Sequence, residues 1–213
     1  MRIQSSLILI FLLLSTTSAE KQFQMKIGPI WPSALWDTEK PTAWDASMQT
    51  GSVFDDRVTI GGAIDFLWYK DVKELKTYST NSQNSTISQV EVLQRTLMFP
   101  VTAFLSISPT PDLFVQPCFS GYVGLNTMYL SYKGDTIKIE PSSYKLKGSG
   151  WYMGLIWKIA GDAVIRLGNN SSLICGIEYQ WTKPRKLGDN NGNLYIRRDM
   201  SGVGIRLGVK VSY

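Results

Sequence analysis

General acid–base chemistry in proteins falls most often to histidine, and none of these 213 residues is histidine. A Ser-His-Asp triad, a Cys-His dyad and a His-ligated metal site are therefore excluded within this chain. Cys118 and Cys175 are its two cysteines, too few for a zinc-finger set or for the disulfide-dense scaffold of a small secreted domain. What remains is the chemistry of charge. Lys26, Asp65, Lys158, Glu178, Arg206 and Lys210 each occupy the polar parity of a stretch whose alternate positions are apolar. Unpaired charges in such surroundings are costly, so these six are expected to pair with one another, Glu178 with Arg206 first. Such a network reads as a plug that rigidifies an interior, which the sequence favours, or as a gate on a narrow ion path. A Ser–Lys nucleophile is the remaining route to catalysis, and no motif points to one. Gly202-Val203-Gly204 with Gly208 is no dinucleotide fingerprint, because no helix follows it. The expectation is a protein that is not an enzyme and carries no metal or cofactor.

The elements that would carry these charges are written in period two. Val203, Ile205, Leu207, Val209, Val211 and Tyr213 share one parity, and Gly204, Arg206, Gly208, Lys210 and Ser212 the other. Successive side chains of a strand point to opposite faces, so one face is apolar throughout. A helix with this pattern would scatter charge around its circumference. The same alternation runs through Leu173 to Trp181, Trp151 to Ile159, Val115 to Tyr129, Leu97 to Ile107 and Val58 to Trp68. Phe23, Met25 and Ile27 give a short first strand, and a poor pattern from Trp44 to Phe54 gives the second. The expected fold is all-β, with eight antiparallel strands.

Connections sort by length. Compact turns are expected at 55–57, 108–112 and 168–171, and long ones at 32–43, 70–91, 133–149 and 183–200. Strict alternation of short and long is the pattern of an up-and-down barrel whose two ends differ. Arg2 followed by the apolar run Leu7 to Leu14 and small residues up to Ala19 reads as a secretory signal peptide, cleaved before Glu20. That leaves residues 20–213 as one barrel domain.

Alternation is equally compatible with a secreted lipocalin-like barrel that is apolar inside and binds a ligand there. Three features favour the inverse, with apolar residues in lipid. The polar parity is rich in Gly, Ser, Thr and Gln, which suits the narrow interior of eight strands better than a water-facing surface. Aromatic residues gather at strand ends: Trp31, Trp44, Trp68, Tyr129, Trp151 and Trp181 at the long-loop end, and Phe23, Phe54, Phe114 and Tyr213 at the turn end. Two such girdles mark the headgroup levels of a bilayer, with Trp157 expected nearer its middle. The alternation also continues to the aromatic Tyr213. On these parities Cys118 points inward and Cys175 outward, so two free thiols are expected.

The segment SGVGIRLGVKVSY, with Val209, Val211 and Tyr213 at alternate positions, resembles the C-terminal assembly signal of bacterial outer-membrane proteins. FPVTAFLSISPTPDLFVQPCFSGYVGLN is similar to the middle hairpin of the small outer-membrane barrels related to outer-membrane protein A, outer-membrane protein X and the opacity proteins. The resemblance implies an eight-stranded antiparallel up-and-down transmembrane β-barrel in the outer membrane of a Gram-negative bacterium. It further implies a structural anchor that presents surface loops, a monomer without nucleic-acid partners, and contact with the barrel-assembly machinery through the last strand. Lipid and lipopolysaccharide would be its surroundings. Clusters such as Lys183, Arg185 and Lys186 in the last long loop suit phosphate-rich lipopolysaccharide.

Overall fold

The computed structural model describes residues 20–32, 42–54, 57–81, 84–134, 138–139, 142–143, 149–187 and 199–213. The expected signal peptide, 1–19, lies outside them. Eight long strands form the wall: β1 (Lys21–Pro32), β2 (Ala43–Phe54), β3 (Val58–Asn81), β4 (Asn84–Ile107), β5 (Val115–Gly134), β6 (Gly150–Arg166), β7 (Ser171–Thr182) and β8 (Gly202–Ser212). Each pairs antiparallel with the next, and β1 pairs with β8, which closes the cylinder. No helix occurs among the described residues.

The alternation of the sequence becomes two environments. Along β8, Val203, Ile205, Leu207, Val209 and Val211 are exposed on the outside, while Gly204 and Arg206 are buried in the lumen. An apolar outer wall of this kind needs hydrocarbon around it.

The register fixes the shape. A path of paired residues leaves β1 at Gln22 and passes Gly51, Gly61, Phe104, Tyr122, Lys158, Gln180 and Gly202. It returns to β1 at Pro32, ten residues farther along. With a rise of about 3.3 Å per residue and strands about 4.8 Å apart, that stagger tilts the strands by roughly 40°.

Two expectations need amendment, and one strand limit left open is now set. The connection expected at 70–91 is instead a continuation of β3 and β4, paired from Lys70–Arg95 out to Asn81–Asn84. Apolar residues such as Val72, Leu75, Val92 and Leu93 fall on both parities there, so the alternation is lost, while the ladder needs only backbone groups. β6 runs unbroken through Gly161 and Asp162 to Arg166, past the alternation read from Trp151 to Ile159. Trp157 pairs across the sheet with Trp181, its ring 6.0 Å away and stacked, and Tyr179 lies 5.9 Å away. The strand stagger therefore brings Trp157 to the residues of the long-loop girdle rather than leaving it alone in mid-bilayer.

The lumen also holds large side chains where the composition suggested small ones. Phe104 lies over paired Gly51 and Gly61, where a Cβ on Gly61 would come within 2.8 Å of its ring. Those two glycines make the room that the ring fills. Two ladders are interrupted, and each interruption contains a proline, which has no N–H to give. Between β3 and β4 the gap spans Phe99 and Pro100, and between β1 and β8 it spans Gly28 and Pro29.

Candidate functional site

Strand pleat aims every second side chain into a space too narrow for a water-filled pore, so charged residues there must meet. Arg206 of β8 donates to Asp45 of β2 and to Glu178 of β7. Its Nη1 lies 3.9 Å from Asp65 Oδ1. Lys158 of β6 donates to Asp65 of β3 and lies 3.8 Å from Glu178 Oε1. A separate pair joins Lys26 of β1 to Asp162 of β6 at 2.6 Å. Lys26, Asp65, Lys158, Glu178 and Arg206 are all at most 4% exposed.

Glu178 with Arg206 and Glu178 with Lys158 join adjacent strands; the other bridges span the lumen. The arrangement is a brace that ties six of the eight strands together. Each charge is within reach of an opposite one, as burial requires. It offers no nucleophile beside a base and no open position for a reacting group.

The cluster is capped toward the long-loop end by apolar side chains, among them Ile30, Leu67, Tyr69, Met98, Met128, Leu130, Tyr152 and Met200. Thr182 and Gln180 fasten the start of β8 there, Thr182 N donating to Ser201 Oγ at 3.2 Å and Gln180 Nε2 to the Met200 carbonyl at 2.9 Å. Toward the turn end lie Phe104 and Tyr122, with the Tyr122 hydroxyl donating to Gln49 Oε1 at 3.3 Å.

Of the six charges singled out in the sequence, five are fully buried in the lumen and four share the central cluster. Lys210 is half-buried near the turn end and apart from them. Asp45 and Asp162 were missed. Asp45, Ser47 and Gln49 share a parity in the poorly patterned second strand, and Asp162 continues the parity of Lys158 and Ala160. Those were the available signals.

The aromatic residues gather toward the two ends of the outer wall. Trp44, Trp68, Tyr129 and Trp151 are exposed on the outer wall, with Trp31 and Trp181 partly so. Tyr129 and Trp151 are in ring contact at 5.0 Å. Phe23, Phe114 and Tyr213 are exposed at the turn end, and Phe54 is half-buried. Val209, Val211 and Tyr213 all face outward. Both cysteines are free, Cys118 half-buried within and Cys175 exposed on the wall. Beyond the wall, Lys183 Nζ bridges to Asp199 Oδ2 at 3.0 Å and lies 5.8 Å from the Trp181 ring centre.

A closed antiparallel barrel of eight strands, apolar outside and ionically filled inside, defines the class of small outer-membrane barrels, and this chain has that fold. Among solved structures it is similar to Neisserial surface protein A, at 12% identity and a TM-score of 0.53, covering 92% of this chain and 98% of that one. The attachment invasion locus protein Ail of Yersinia pestis follows at 12% identity, with a TM-score of 0.47 over 92% of this chain and 100% of that one. The outer membrane protein OprG of Pseudomonas aeruginosa is 14% identical, with a TM-score of 0.47 over 92% and 96%. At such identities the likeness is one of fold. No protein-family model and no curated protein matches the sequence.

Proposed function

We propose that this protein is an integral outer-membrane anchor, a closed barrel that holds its long-loop end at the cell surface and conducts nothing. The filled lumen supports this reading: among the described residues an ionic brace at the centre and an apolar cap beyond it lie across the axial route. A bundle of charges paired across the lumen costs less to keep closed than to open, since separating one pair leaves buried charge behind. The β3–β4 hairpin supports a display role, because its strands are 24 residues each against 12 for β1 and β2. The role is non-catalytic. Its partners are outer-membrane lipid and lipopolysaccharide, the latter through Lys183, Arg185 and Lys186. The outward-facing Val209, Val211 and Tyr213 would present β8 to the assembly machinery. Planar-bilayer recording of the folded chain tests the reading. Silence is the expected trace, and steady unitary conductance would replace the anchor with a narrow passage.

A further inference from the structure

Three lumenal cations, Lys26, Lys158 and Arg206, each contact a carboxylate. Among the described residues Lys210 has no carboxylate within ion-pair distance. It stands where two cavities meet. The inner one, about 40 Å³, is walled largely by amides and hydroxyls, Gln22, Gln24, Ser106 and Gln116 among them, together with Cys118 and the cation Arg57. The outer one, about 470 Å³, is the turn-end mouth, whose lining includes Glu20, Asp112 and Arg166, the last donating to the Pro111 carbonyl at 2.8 Å. Gln24 is the cross-strand partner of Lys210 on one side and Ser172 on the other. Gln22 is 2% exposed, and its Oε1 accepts no hydrogen bond. Asp162, the carboxylate of the inner wall, is already taken by Lys26.

A half-buried ammonium with no carboxylate in ion-pair contact calls for an anion, and a buried carbonyl oxygen calls for a donor. Hydrogen phosphate supplies both, with oxygens for the ammonium and an O–H for the amide. We propose that this turn-end vestibule is a binding site for a small phosphate-type oxyanion, held by Lys210 Nζ and capped by the Gln22 carboxamide. The site goes beyond the anchoring role and stands or falls without it. The ion comes from solvent as free phosphate or from a lipid headgroup of the adjoining leaflet; the recognition chemistry is the same.

Cys118 on the inner wall is a built-in reporter. In the full chain with Cys175→Ser, folded in a phosphate-free maltoside micelle, Cys118 is the one thiol. Its thiolate attacks a methanethiosulfonate, forming a mixed disulfide and releasing methanesulfinate. A sulfonate-bearing reagent is expected to label it several-fold faster than a trimethylammonium one. Inorganic phosphate should slow the labelling saturably, and Lys210→Met should abolish both effects while Lys210→Arg keeps them. Amide chemical shifts of Gln24 and Lys210 under phosphate titration give a second readout that needs no thiol access, and it decides alone if neither reagent reaches Cys118. Saturation by inorganic phosphate assigns the solvent ion. Saturation only by phosphatidylglycerol added to the micelle assigns the headgroup. Equal rates for the two reagents with no saturable shift from either source, or shifts that persist in Lys210→Met, overturn the proposal.

Discussion

Arg206 and Leu207 are consecutive in the chain and inhabit opposite solvents, the first buried among carboxylates and the second 55% exposed on the outer wall. Their substitutions should therefore fail for different reasons. Leu207→Arg places a cation in hydrocarbon near mid-strand and is expected to cost about 2–4 kcal/mol. Reversible urea unfolding in lipid vesicles measures it, and an unchanged midpoint would mean that this face does not meet lipid. Arg206→Met leaves Asp45 and Glu178 without their shared cation, at an expected cost of about 3–5 kcal/mol. Adding Asp45→Asn and Glu178→Gln to the same protein should recover most of that loss, because neutral amides need no counter-ion. If the triple variant unfolds no later than the single one, the brace is not held by charge.

Strands were legible wherever their two faces meet different media. β8 and β7 could be read residue by residue, since lipid on one side and a crowded polar lumen on the other enforce strict alternation. The outer halves of β3 and β4 could not, because apolar residues there fall on both parities and the alternation vanishes although the ladder continues. β2 was faint for another reason. Ala46 and Thr50 weaken its outward parity, and with it went Asp45, half of the acceptor pair for Arg206. Pairing across the lumen follows from the stagger of the whole cylinder, which no single strand encodes. The long-loop segment between β7 and β8 is held at its base by Lys183 and Asp199. Burial by itself would raise the Asp199 carboxyl, but hydrogen bonds from Ser201 and Lys183 outweigh it and hold the group below the usual carboxylate range. A lowered carboxylate contributes stability above its unfolded value and loses that contribution as pH falls through the folded one. Limited proteolysis of the segment after Lys183 should therefore be slow at neutral pH and quicken below about pH 4. A pH-independent rate would show that the clasp does not restrain the loop.

At the scale of the whole molecule, closure is what turns eight marginal strands into a stable body. A bilayer offers no water to satisfy free backbone groups, so an open sheet edge there would be prohibitively costly. Every wall strand is therefore paired on both sides, and the lumenal brace ties together strands that are distant in sequence. Stability and sealing come from the same residues.

The interruption at Gly28 and Pro29 falls on the seam between the first and last strands, where the growing wall must finally zip shut. The β5–β6 seam, by contrast, is paired without a break from Val115–Ile165 to Leu130–Gly150. A zipper parts at its missing tooth, so this is where the completed cylinder should breathe. Deuterium uptake at the Ile205 amide, which points toward β1, is expected to outpace that at Tyr122 and Lys158, which face each other across the β5–β6 seam. The same soft spot gives a folding catalyst a place to let go last, and gives a lipid tail its easiest way into the wall.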